Sequence, residues 1–197
     1  MPPTPRPSVR GLLWRIKHWP ARALHAHRRS AAAGRLRRLG PPESILLLCH
    51  GNICRSPYAE ATLRRRLADL GLAGIAVTSA GFIEPGRPSP PVAQAVGLER
   101  GYDLSTHLSR LVTGHAVRGN VVILVMDSLQ RERAFELGAP EGRLFLLGDF
   151  DPSPIDRRAI PDPIDRPADV FRRVYDRIDR CVGEVALTIA ASRSASP

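Results

Sequence analysis

Cysteine is scarce in this 197-residue chain: Cys49, Cys54 and Cys181 are the only three. They are too few for a disulfide framework, and Cys49-His50 and Cys54 lack the paired spacings of a zinc site, so neither a metal nor a cofactor is expected. A reducing, cytoplasmic setting fits. No apolar run approaches the roughly 20 residues that cross a bilayer, and no secretory h-region is present. The chain has no Gly-x4-Gly-Lys-Ser/Thr, which excludes a Walker-type nucleotide loop. Internal repeats are absent as well.

Acidic residues are missing altogether from residues 1–42, which hold ten of the 29 Lys and Arg. The remaining 19 basic residues are matched by 19 acidic ones, so the formal charge of +10 sits in this leader. The neutral body gives no reason to expect a nucleic-acid partner. The leader opens with Pro2, Pro3, Pro5 and Pro7 and continues as Leu12-Leu13-Trp14-Arg15-Ile16-Lys17-His18-Trp19. Three readings of it stand side by side: a disordered basic tail, an interfacial segment resting on anionic lipid at the membrane periphery, and an Arg-rich transit peptide. The division expected is residues 1–42 as a disordered or interfacial extension, 43–192 as one catalytic domain and 193–197 as a tail. Truncation of 1–42 is expected to spare activity. No residue pattern assigns an oligomeric state.

The body alternates strand-like and helical patterns. Apolar runs at Ile45 to Cys49, Ile75 to Ser79, Val121 to Met126 and Leu144 to Leu147 read as strands, with helices starting near Pro57, Pro91, Ser128 and Ala168. In the first of these helices Leu63, Leu67 and Leu70 face inward, Arg64, Arg65 and Arg66 are solvated, and Gly71 is a natural stop. The stripe Phe171, Val174, Ile178, Cys181, Val185 and Ile189 marks the last helix and places Cys181 in the core. Such alternation implies an α/β fold with a parallel sheet covered on both faces, and ligands bind at the carboxyl edge of such sheets.

At that edge stands Cys49-His50-Gly51-Asn52-Ile53-Cys54-Arg55-Ser56, between the first strand and a helix start. A thiol and a guanidinium six residues apart at a strand-to-helix junction bracket one anion-sized hollow, with backbone N–H groups and the helix N-terminus around it. Cys49 is the nucleophile that such a setting activates, and Ser56 is a hydrogen-bond donor for its sulfur. Arg55 offers a planar fork for two phosphate oxygens, which Lys does not replace. Gly51 and Asn52 tolerate the positive φ that a loop curled around an anion requires. Pro57 fits the first helical turn. Attack on a phosphate is the chemistry these residues suit.

Cys49 to Pro57 resembles the signature loop of the low-molecular-weight protein tyrosine phosphatases. The resemblance continues through Ser79-Ala80-Gly81, Gly101 to His107, Val121 to Asp127 and Ile160-Pro161-Asp162-Pro163, spanning roughly Glu43 to Ala190. It implies a three-layer sandwich around a four-stranded parallel sheet, and a phosphorylated protein as substrate, phosphotyrosine preferred. Asp162 is implied as the general acid, while Asp151-Pro152 reads as a turn cap. His50, Gly51, Asn52, Ile53, Cys54, Arg55 and Ser56 are implied to line the phosphate site. Asn52, Ser56, Ser79 and His107 are implied as a network that holds the loop. Cys54 is implied to trap oxidised Cys49 as a reversible disulfide.

In tyrosine-specific members an aromatic residue usually follows the Asp-Pro pair, where this chain has Ile164, and His50 replaces a more usual apolar residue. Ile53 resembles the tyrosine-type loop, whereas protein-arginine phosphatases of the superfamily tend to have Thr there. Three alternatives remain: a protein-arginine phosphatase, an arsenate reductase and a phosphate-binding module without chemistry. The thioredoxin-coupled arsenate reductases need further redox cysteines in a mobile central segment, which this chain lacks.

Overall fold

The computed structural model describes residues 9–118 and 121–193, with side chains from Leu24 onward. The chain runs α1 (Val9–Arg38), β1 (Ser44–Cys49), α2 (Arg55–Asp69), β2 (Ala76–Gly81), α3 (Pro91–Leu98), β3 (Val121–Val125), α4 (Ser128–Glu136), β4 (Leu144–Leu146) and α5 (Ala168–Arg193). The four strands pair in parallel in the order β2-β1-β3-β4. The chain leaves β1 toward β2 on one side and returns to β3 on the other. The loop after β1 therefore lies at the point where strand order reverses, outside the carboxyl ends of the strands.

Both faces of the sheet are covered, which is why β1 reads as an unbroken apolar run. Ile45 and Leu47 face one cluster with Tyr58, Leu63 and Leu67 of α2 and Phe171, Val174, Ile178 and Val185 of α5. Leu46 and Leu48 face a second cluster with Ala134 of α4, Val112 and Val117. This is the expected three-layer α/β arrangement. Arg64, Arg65 and Arg66 are exposed, as their place on the outer face of α2 predicts. Gly71 ends the region of α2 with φ +70°, a conformation that costs glycine little.

The extension departs from expectation. From Leu24 to Arg38 it is the second half of a helix lying against α5 and the 3-10 turn at Leu147–Phe150. His25, Ala32 and Leu36 recur at helical spacing and are buried, the last two within the main core cluster. His25 Nε2 donates to the carbonyl of Asp151 at 2.7 Å, and Arg29 pairs with Glu184 at 2.7 Å. The expectation of a disordered tail up to residue 42 is thus corrected for these residues. The physical reason is α5, which buries Val182, Ala186 and Ser192 beside the stripe legible in sequence and so needs cover from a further helix. The prolines at 2–7 and the side chains of Leu12 to Trp19 lie outside the described residues, as does the tail from 194. No helix of the described residues is long and apolar enough to cross a membrane.

A cut at residue 42 therefore removes part of the core. Leu36→Ala is expected to lower unfolding free energy by about 2–5 kcal/mol, while Leu24→Ala, at an exposed position of the same helix, stays within about 0.5 kcal/mol. Urea unfolding of the two variants checks this; equal small effects would mean that α1 does not pack on the body.

Candidate active site

β1 ends at Cys49 and α2 begins at Arg55, so the intervening residues must reverse direction around the helix N-terminus. The reversal is made at Asn52, with φ +50°. Gly51 does not share this conformation; an added Cβ there would stand 2.5 Å from Arg87 Nη2, so its small size makes room for a side chain, contrary to the reason inferred from sequence. α2 has no side-chain cap and no acidic residue in its first turn. Its N–H groups and the positive end of its dipole are left for an anion. The backbone N–H groups of Gly51 and Ile53 donate to no other described residue.

Cys49 Sγ accepts two hydrogen bonds, from Asn52 N at 3.2 Å and from Ser56 Oγ at 3.0 Å. Asn52 is fully buried and each of its polar atoms is engaged. Its Nδ2 donates to Ser56 Oγ and to Ser79 Oγ, both at 2.8 Å. Its Oδ1 accepts from Arg110 N at 2.8 Å, and its carbonyl accepts from His107 Nε2 at 2.7 Å. Ser56, Ser79 and His107, the other network residues expected from sequence, thus each bond to Asn52.

The direction of the protons follows from valence. Asn52 spends both amide hydrogens on the two serine oxygens, so each serine must send its single proton onward. Ser56 points its proton at the sulfur, and Ser79 donates to Glu60 Oε2 at 2.6 Å. Glu60 is buried, held also by Arg64, and was missed in sequence. Its place four residues after Ser56, on the same face of α2, is the signal that could have revealed it.

Arg55 is buried and joins the loop to the opposite wall. Nη1 donates to the carbonyl of Ile160 at 3.1 Å and lies 3.9 Å from Asp127 Oδ2, and Nη2 is paired with Asp162. Asp162 is partly exposed and also accepts from Ile164 N at 3.3 Å. The nucleophile, the guanidinium and the carboxyl named from sequence therefore share one site. His50 is exposed at its lip, and Ile53 is half-buried against the core. Cys54 is buried, and burial first, then the neighbouring Cys49, pushes its thiol well above the ordinary range.

Three further supports were not legible as such. Gly81 at the end of β2 passes so near the loop that an added Cβ would stand 2.8 Å from Asn52 N and 2.9 Å from His50 O, both backbone atoms that cannot yield cheaply. Tyr175 of α5 stacks on Tyr58 with ring centroids 3.7 Å apart and donates to the carbonyl of Cys54 at 3.2 Å. Its spacing from Phe171 and Ile178 put it on the apolar stripe already recognised. Arg177 donates to the carbonyls of Arg157 at 2.7 Å and Ala159 at 2.9 Å, fastening the segment that carries Asp162. It is anchored in turn by Asp151 at 3.1 Å, which Arg180 also grips at 2.9 Å. Asp151 is fully buried, so it does more than the turn-capping bond it receives from Ser153 N.

Comparison with known proteins agrees with this geometry. Residues 44–195 match the family described as low molecular weight phosphotyrosine protein phosphatase. The chain is 35% identical over 146 residues to the low molecular weight protein-tyrosine-phosphatase Etp of Escherichia coli K12, covering 73% of this chain and 92% of that one. Among solved structures, the tyrosine phosphatase Wzb of Escherichia coli K30 in complex with sulphate superposes with a TM-score of 0.65 at 30% identity, covering 74% of this chain and 97% of that one. The YwlE arginine phosphatase of Geobacillus stearothermophilus gives 0.68 at 29% identity, covering 79% and 98%. With its thiol loop, its sheet order and the family match over most of its length, the chain belongs to the low molecular weight phosphotyrosine protein phosphatase family.

Proposed function

We propose that this enzyme hydrolyses protein phosphotyrosine in two steps through a phosphoryl group carried on Cys49. The observation that carries the reading is the sulfur of Cys49 receiving two hydrogen bonds beside a buried Arg55 that is itself joined to Asp162. Sulfur attacks phosphorus, the bond to the tyrosyl oxygen breaks, and Asp162 gives that oxygen its proton. Arg55 and the loop N–H groups hold the phosphoryl oxygens as their charge redistributes. Water then attacks phosphorus, Asp162 takes the proton, and the S–P bond breaks with the electron pair returning to sulfur, where Ser56 Oγ donates.

Phosphotyrosine is favoured over phosphoarginine by Ile53 in the loop, and Ile164, exposed beside Asp162, supplies an apolar wall. Covering about 100 Å² of aryl surface is worth about 2.5 kcal/mol, or about 70-fold. Peptides of one sequence bearing phosphotyrosine, phosphoserine or phosphoarginine test this: kcat/KM is expected to favour phosphotyrosine by about that factor. A preference for phosphoarginine would assign the protein to the arginine-directed branch instead.

Cys54 supports a protective role. Its burial keeps the thiol protonated, so peroxide reacts at Cys49 first. Peroxide converts Cys49 to the sulfenic acid, the Cys54 thiol condenses with it to a disulfide with loss of water, and a dithiol restores both. After equal peroxide exposure, dithiothreitol is expected to recover most activity of the parent and a small fraction for Cys54→Ser. Equal recovery of both would remove this role.

A further inference from the structure

Away from the catalytic loop, a concave cleft of about 320 Å³ lies between α1 and β4. Arg28, Arg35 and Arg38 reach it from α1, Arg131 from α4 and Arg158 from the segment after β4, with Asp149 among them. Arg158 pairs with Asp149 through Nε and Nη2, at 2.8 and 2.6 Å, and Arg131 pairs with Glu141 at 3.0 Å. Arg35 lies over the Phe145 ring at 4.2 Å and donates Nη2 to the carbonyl of Leu144 at 2.8 Å, while its Nε is buried without a partner. Arg28 and Arg38 have no carboxylate partner among the described residues. Five guanidiniums thus line the cleft with one carboxylate, Asp149, while Glu141 reaches Arg131 from outside it.

Like charges crowded in a partly desolvated cleft repel unless an anion joins them. Burial first, then the charge of Arg131, lowers Arg35 below its ordinary range against the opposing charges of Asp149 and Glu141. A guanidinium fork is shaped for tetrahedral oxyanions. The cleft is concave, which suits a compact group rather than a flat lipid surface. Half of it is built by α1, which lies outside the residues matched by the family, so this is a feature of this chain's own extension.

We propose that the cleft between α1 and β4 is a second anion site, binding phosphate or a phosphoryl group through Arg28, Arg35 and Arg38. Backbone amide ¹⁵N spectra of the full chain, titrated with inorganic phosphate at constant ionic strength, test it. Two sets of signals are expected to move with separate midpoints: Gly51 and Ile53 in the catalytic loop, and Arg35, Leu144 and Arg158 at the cleft. The variant Arg28→Gln/Arg38→Gln, which leaves the packing of Arg35 on Phe145 in place, is expected to weaken the cleft midpoint roughly tenfold and leave the loop midpoint unchanged. A parallel titration with phenylphosphonate distinguishes sources: movement of the cleft signals by both probes means that an esterified phosphoryl group is accepted, and by phosphate alone that the free ion is the ligand. Movement confined to the loop, or cleft shifts that persist unchanged in the variant or appear equally with chloride, would overturn the proposal.

Discussion

Cys49→Ser is expected to reduce kcat on the order of 10⁶-fold, a loss of about 8 kcal/mol in transition-state stabilisation, with the fold and phosphate binding retained. The serine oxygen would sit between the same two donors, Asn52 N and Ser56 Oγ, but those donors suit a sulfur anion. The two groups hydrogen-bonded to this atom, Asn52 N and Ser56 Oγ, both donate to it, so neither serves as a base for a serine hydroxyl. Steady-state turnover of an aryl phosphate, alongside phosphate inhibition constants, checks both halves. A phosphate-binding module without chemistry predicts instead that the parent protein itself shows no turnover.

Asp162→Asn has the second largest expected effect, and its size depends on the substrate. Loss of a general acid is worth about 10²- to 10⁴-fold when the leaving oxygen is basic, and little when an electron-withdrawing aryl group leaves unaided. The structure adds a second signature. Asp162 holds Nη2 of Arg55, the donor that a phosphoryl oxygen must claim, so carboxylate and substrate compete for one guanidinium. Removing the carboxylate's charge weakens that competition. KM is therefore expected to stay level or fall while kcat falls, the pattern of a group that acts in the transition state. A uniform loss across leaving groups, or a rise in KM alone, would assign Asp162 to binding instead.

Much of this site could be read from residue order because its parts are local or bear a recognisable spacing. Cys49, Asn52, Arg55 and Ser56 lie in one loop whose flanking strand and helix announce themselves by periodicity. Asp162 was distinguishable from Asp151 only through family pattern, since both precede proline; the structure separates them, leaving one partly exposed against Arg55 and burying the other between Arg177 and Arg180. Glu60 escaped notice, and Gly81 stood out only as part of the resemblance, because their importance is a matter of approach across the fold. Glu60 is tied to the loop only once Ser79 arrives from β2, and Gly81 is demanded by backbone atoms of residues 50–52. The helix of the extension was hidden for a similar reason. Its charge and prolines dominate its composition, whereas its burial depends on a face of α5 that no local pattern in residues 24–38 reveals.

The core claim is a phosphoryl group passing through sulfur. Rapid mixing with an aryl phosphate, acid quench within the first turnover and mass analysis of the peptide containing residues 49–55 tests it directly. A phosphate adduct on Cys49 that forms and decays at rates matching turnover is predicted. Turnover that proceeds with Cys49 unmodified at every quench time would contradict it.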